Sequence, residues 1–202
     1  GSPIGFQYDM LKQMAKDMDK NIQITVESDP ENAFFSCYAN DFDLVAMDVN
    51  KSQIFAHYLN FSEPHSYSYP VLISQKKTKI SDTSTNELHI PAQFPVDVTL
   101  VDIDHKAKWE LVYSEHQNTE DLFELLAEKK IDFIASDYNL AVTLLPFYPN
   151  LKIVGRIGSD FNREWVLNPN NPILNDSINN WIDHFKQTKQ YASLCQRYHS
   201  TN

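Results

Sequence analysis

At 202 residues the chain is long enough for one large domain or two small lobes. Apolar residues at 42% and aromatics at 12% supply a core and exclude a disordered chain. A formal net charge of −10 argues against nucleic acid and anionic lipid as partners, and no apolar run reaches the ~18 residues of a membrane span.

Gly1-Ser2 reads as a cloning scar. Leu11, Met14, Ala15 and Met18 recur at helical spacing, and Ile22–Val26 alternates in the manner of a strand. Asp29-Pro30 opens a short helix through Tyr38, because Pro suits the first helical position. Leu44–Met47 is a short apolar strand introduced by Asp43. Val71–Ser74 is a further strand, and the polar stretch Lys76–Asn86 is a surface loop. Leu88–Ile90 and Val98–Val101 follow as strands. Thr119 is placed to cap a helix with Leu122, Phe123 and Leu126 on its inner face. Ile131–Ala135, Leu151–Val154 and Trp165–Leu167 complete the strands. A long stripe of Leu174, Ile178, Trp181, Ile182 and Phe185 marks one helix, and Tyr191, Leu194, Cys195 and Tyr198 mark the last. Alternating helices and strands predict an α/β fold with largely parallel sheets.

Motifs exclude several chemistries. The seven histidines include no HExxH or other metal-ligand spacing, so no metal is expected. The four glycines form no GxGxxG and no P-loop, so nucleotide binding through those motifs is not expected and no cofactor is implied. No GxSxG elbow is present, and nothing in the spacing of Ser, His and Asp supports a catalytic triad. Cys37 and Cys195 read as two buried thiols, with a disulfide between them as the alternative in an oxidising compartment.

The stretch FDLVAMDVNKSQIFAHYLNFSEPHSYSYPVLIS resembles a strand ending in a ligand cleft, then an FSEP turn, then a crossing between lobes. With GFQYDMLKQMAKDM, TEDLFELLAEKKIDFIASDYNLA and VGRIGSDFNREWVLNP, it is similar to the solute-binding proteins of family 3. LLPFYPNLKIVGRIG, EWVLNPNNPILNDSINNWIDHFKQT and YASLCQRYHS resemble the binding-protein-like domain of membrane-bound lytic murein transglycosylase F. The resemblance implies a two-lobe, type II periplasmic-binding-protein-like α/β fold, each lobe a mostly parallel sheet flanked by helices. Residues 1–69 and 160–202 would form one lobe and residues 70–159 the other. It also implies a first strand ahead of the first helix; this sequence starts at GSPIGFQYDML, so that strand is either absent or trimmed away.

The same resemblance assigns ligand-facing positions. Asp48 and Asn50 would end the first-lobe strand beside Met47, Asp137 and Tyr138 would come from the second lobe, and Tyr67 and Tyr69 would sit at the hinge with His65. Amino-acid binders of the family place an Arg six residues before the Phe of the FS turn, where it clamps the ligand carboxylate. Here that position is Phe55, and AQFPVD replaces the Gly-Ser/Thr step that adds donors for the same group. Two carboxylates without the Arg favour an amine, a sugar or a peptide. The bland alternative is that Asp48 and Asp137 cap helices or turns.

The resemblance therefore implies a non-catalytic, regulatory ligand-binding domain in the periplasm or cell envelope. Its ligand would be a small molecule or peptidoglycan fragment, held by cleft closure. A lysozyme-like catalytic domain would follow in an outer-membrane-associated parent. A free-standing amino-acid- or amine-binding protein of a transporter, a receptor sensor domain and a scaffold without small-molecule binding are the alternatives.

Overall fold

Each half of this protein is organised around one strand whose side chains bury on both faces. The computed structural model describes residues 5–47, 57–91, 94, 98, 106–114 and 118–199. It divides into two units, the first made of residues 1–67 with 162–198 and the second centred on Ser68–Phe161. In chain order the elements begin with α1 (Phe6–Asp17), α2 (Pro30–Tyr38), β1 (Leu44–Val45), β2 (Asn60–Phe61) and β3 (Ser66–Ser68). The second unit holds β4 (Pro70–Gln75), β5 (Thr85–Ile90), β6 (Lys108–Tyr113), α3 (Thr119–Ala127), β7 (Phe133–Asp137), α4 (Tyr138–Leu144) and β8 (Leu151–Arg156). The chain returns through β9 (Phe161–Arg163) to β10 (Val166–Leu167), α5 (Pro172–Phe185) and α6 (Lys189–His199). The crossing strands β3 and β9 pair with each other.

In the first unit β10 lies between β1 and β2, antiparallel to both. Alternation along the strand sends successive side chains to opposite faces. Trp165 and Leu167 meet Phe6, Met10, Met14, Ile178 and Ile182 from α1 and α5, whereas Val166 meets Phe34, Cys37 and Leu59. The Trp165 indole N–H donates to Gln7 Oε1 at 2.6 Å and its backbone N–H donates to Ser62 Oγ at 2.9 Å, so this fully buried ring is polar-satisfied at both ends. Asn168 then ties the start of α5 to the end of α2. Its side-chain N–H donates to Asn40 Oδ1 at 3.0 Å and to the Phe42 carbonyl at 3.3 Å. Asn40 adopts φ 70°, a left-handed turn that Asn tolerates better than most residues.

In the second unit the five strands run in the order β6-β5-β7-β4-β8. Every residue of β4 from Pro70 to Ser74 is buried. Val71 and Ile73 pack under α3 and α4 with Leu122, Phe123 and Leu126, while Leu72 packs with Leu88, Ile90 and Ile157 on the other face. α3 begins with a reciprocal capping box, in which Asn118 Oδ1 accepts from the Asp121 N–H at 2.9 Å and Asp121 Oδ2 accepts from the Asn118 N–H at 3.1 Å.

The α/β class expected from the sequence holds, and several details are corrected. The sheets are mixed rather than mostly parallel. β5 is parallel to β6 and β7, but β4 is antiparallel to both its neighbours, because it enters the unit and β8 leaves it along the same line. The cap of α3 is Asn118, one residue ahead of Thr119, which places Asp121 three residues on for the box. Ile22–Val26 forms no ladder. Ile22 and Ile24 are each 37% exposed and Val26 is 80% exposed, since alternation finds no paired strand among the described residues to cover it. β6 and α4 were not anticipated, and of Val98–Val101 only Val98 lies within the described residues, outside any strand. Cys37 and Cys195 are free thiols in different clusters.

Burial, and secondarily the charge of Asp43, pushes the Cys37 thiol up to about 12. The unfolded thiol ionises near 9.0. The contribution is therefore fully present below pH 9, and it is lost as pH rises toward 12 because the unfolded state sheds a proton that the folded state retains. Urea unfolding as a function of pH should show stability falling across this window, with a shallower fall in Cys37→Ala. Leu72→Ala, at a fully buried site, should cost about 2–5 kcal/mol in the same measurement at neutral pH.

Candidate functional site

At the beginning of β4, three segments of the second unit meet. Tyr69 immediately precedes the strand, and its side chain shares a face with Val71 and Ile73. β7 runs antiparallel alongside, with Asp137 opposite Pro70, so the residue after β7 arrives next to Tyr69. The Tyr138 backbone N–H donates to the Tyr69 carbonyl at 3.0 Å. The two phenol rings stack with centroids 4.7 Å apart and planes 20° from parallel.

Arg156 reaches the same place through a β-bulge. From Gln75 to Ile73, β4 pairs regularly with Leu151, Lys152 and Ile153, but Leu72 pairs with Gly155 and Val71 with Arg156. Val154 is the extra residue. Without it, regular register would set Gly155 opposite Val71 and Arg156 opposite Pro70, and Arg156 would emerge on the other face of the sheet. The one-residue insertion puts Arg156 on the face of Tyr69, with its guanidinium 4.8 Å from that ring's centroid. Arg156 Nε–H donates to the Gly158 carbonyl at 2.5 Å, and Nη2 lies 3.0 Å from Asp160 Oδ1. A guanidinium carries five N–H donors, so these contacts do not exhaust it.

Asp137 is 6% exposed and caps α4, its Oδ1 accepting the Leu140 N–H at 2.9 Å. Burial, followed by neighbouring Tyr138, raises the Tyr69 phenol above its ordinary value, and Arg156 acts in the opposite direction. The outcome is a stacked aromatic pair with a cation over one ring and the buried Asp137 side chain next to Tyr138 in sequence. Such a surface can stack on a flat or sugar-like group and pair with a carboxylate.

Of the residues anticipated from sequence, Tyr69, Asp137 and Tyr138 converge here. Tyr67 belongs to the first unit and is 60% exposed. Asp48 and Asn50, like Phe55, lie outside the described residues. His65 is fully buried in the first unit against Phe6 and Trp165, its ring 5.9 Å and 5.4 Å from theirs, and its carbonyl accepts the Tyr191 hydroxyl at 2.5 Å. Trp181 stacks on Phe185 at 4.5 Å and donates to Asp17 Oδ2 at 3.0 Å, at the margin of the core and not inside it. Sequence reasoning missed Arg156. Its signal was a Gly-Arg step closing an apolar strand with an Asp four residues on.

The profile of the bacterial extracellular solute-binding proteins, family 3, matches residues 1–201. A membrane-bound lytic murein transglycosylase F from Desulfosudis oleivorans is 22% identical over 213 residues, covering 98% of this chain and 45% of the relative. The chain thus spans less than half the length of that relative. Among solved structures, the GluR0 ligand-binding core in complex with L-glutamate superposes with a TM-score of 0.77 at 16% identity, covering 99% of this chain and 91% of that one. A variant of ArgBP from T. maritima gives 0.75 at 18% identity over 100% and 87% of the two chains. A binding component of an ABC transporter from Wolinella succinogenes, complexed with lysine, gives 0.75 at 18% identity over 98% and 87%. These similarities show the fold.

Two outcomes test the local geometry. Asp137→Ala removes the α4 cap and should cost about 0.5–2 kcal/mol, whereas Asp137→Asn should keep most of it, as read by thermal unfolding. Arg156→Met removes the group that opposes the upward shift of Tyr69, so ultraviolet titration of the phenols should show Tyr69 ionising at higher pH than in the parent protein.

Proposed function

The chain belongs to the bacterial extracellular solute-binding proteins of family 3, and we propose that it binds a peptidoglycan fragment or cell-wall peptide without transforming it. The observation that carries this reading is the Tyr69–Tyr138–Arg156 group at the start of β4. An aromatic pair suits the apolar face of a sugar ring or peptide plane, and a guanidinium suits a carboxylate. A murein fragment joins sugar rings to a peptide bearing carboxylates, so one ligand answers both features. The name of the transglycosylase relative supports the same substrate class.

In this reading Arg156 supplies the carboxylate partner that Phe55 does not, and Asp137 orients Tyr138 by fixing the first turn of α4. Asp48, Asn50 and Tyr67 join the proposal on the sequence argument alone. The domain acts in the periplasm or cell envelope, as the regulatory part of a longer protein with a murein-cleaving domain. A second reading, a free amino acid as ligand, draws support from the solved relatives that hold L-glutamate or lysine.

A thermal-shift titration with a muropeptide, the free stem peptide, L-glutamate and L-lysine separates these readings. A ligand that binds only the folded state raises its stability by about 2.7 kcal/mol at one hundred times its Kd. A dose-dependent rise with muropeptide or stem peptide, abolished in Tyr138→Ala and weakened about tenfold or more in Arg156→Met, is the expected result. A rise with the amino acids alone would transfer the assignment to the second reading. No rise with any of the four would reject both.

A further inference from the structure

A groove of about 600 Å³ runs between α1 and α6 in the first unit. Its floor is apolar, formed by Phe185 and Leu194, which belong to the main core of that unit. Its walls are cationic. Lys12 and Lys16 stand one turn apart on α1, Lys189 opens α6, and Arg197 lies about two turns further along the same helix. The single carboxylate lining the groove, Asp9, is already engaged, accepting from Arg197 Nη1 and from the Tyr198 hydroxyl, each at 2.8 Å. Asp17, next to Lys16 in sequence, accepts from Gln13 Nε2 at 2.7 Å and from the Trp181 indole at 3.0 Å. Among the described residues no carboxylate pairs with Lys12, Lys16 or Lys189.

Helix polarity adds to this field. Thr188 Oγ1 accepts the Tyr191 N–H at 3.1 Å and caps α6, so the positive end of an eleven-residue helix lies beside Lys189. Lys12 Nζ lies 5.5 Å from the Tyr8 ring centroid, but none of the three ammonium groups has a carboxylate partner among the described residues. Together with a helix N-terminus around one concavity they repel one another, and an anion relieves that repulsion. The rest of the chain is acidic, with a formal net charge of −10, so the groove is a local reversal of sign. That net charge opposes contact with an extended anionic surface, whereas a small ion can enter a groove lined by Lys12, Lys16 and Lys189.

We propose that this groove is a binding site for a small, multiply charged oxyanion of the phosphate-ester or pyrophosphate class. It is separate from the Tyr69–Tyr138–Arg156 group, which lies in the second unit, and it stands whether or not that group binds murein.

The test is isothermal titration of the 202-residue chain with pyrophosphate, beside co-sedimentation with anionic phospholipid vesicles. Saturable binding to pyrophosphate is expected, weakened about tenfold or more in K16E/K189E and on raising salt from about 50 to about 500 mM. The control pair K76E/K77E, exposed lysines of the second unit, should bind as the parent does. Lys16 and Lys189 are exposed, so K16E/K189E should keep the parent melting temperature, and K16M/K189M provides the same comparison without charge reversal. A muropeptide-dependent thermal shift should be unchanged in both groove variants, so failure at this site and failure at the other are distinguishable. Absence of saturable pyrophosphate binding would overturn the proposal, as would equal losses in K76E/K77E. Binding to vesicles without binding to pyrophosphate would also overturn it.

Discussion

Burial of β4 on both faces is the constraint from which the second unit follows. A strand with Val71 and Ile73 under two helices and Leu72 against the opposite layer cannot slip by one residue without exchanging the two cores. That fixed register holds β7 on one side and β8 on the other, and it determines where Tyr69, Asp137, Tyr138 and Arg156 emerge. The candidate site is therefore a by-product of core packing at the strand's first residue, carried on rigid elements and not on a loop. The bulge at Val154 is the one irregularity, and its effect is local: it changes the face of Arg156 and leaves the ladder from Ile73 to Gln75 intact.

The first unit reaches a similar two-sided arrangement with much less strand. Among the described residues its β1-β10 and β10-β2 ladders are two residues long each, so hydrogen bonding there contributes little and side-chain anchoring takes its place. Trp165 is held through Ser62 and Gln7, and Asn168 is held through Asn40, Phe42 and Asp43. Each of these polar groups is largely buried or anchors a buried partner, so removing one leaves a donor or acceptor unsatisfied, at a cost of about 1–3 kcal/mol. Precision in this unit comes from polar networks around one tryptophan and one asparagine.

Periodicity made the helices legible. The stripes on α1, α3 and α5 pack where their spacing placed them, because an amphipathic helix carries its burial direction in its own sequence. Strand existence was less legible. Ile22–Val26 alternates as well as any segment of the chain yet has no ladder, since pairing depends on a neighbour that alternation does not specify. Conversely, the strand Lys108–Tyr113 carries Trp109, Leu111, Val112 and Tyr113 yet is mostly exposed, being the edge of its sheet, so its apolar residues mark no buried face. Of the candidate site, Tyr69, Asp137 and Tyr138 were legible through the family resemblance, whose segments carry these positions. Arg156 was not, because which face it occupies is decided by a bulge, a property of two paired strands that neither sequence segment displays alone.

Arg156 also shows why a residue already engaged in contacts is compatible with binding. Its partner Asp160 is 66% exposed and Arg156 itself 46% exposed, so their ion pair contributes at most about 0–1 kcal/mol. A ligand carboxylate that displaces Asp160 gives up little, and the released aspartate returns to water. The contact with Tyr69, at 4.8 Å from the ring centroid, does not depend on Asp160 and is unaffected by that exchange. The arrangement thus holds the cation beside Tyr69 through a contact that does not depend on its weak, exposed partner Asp160.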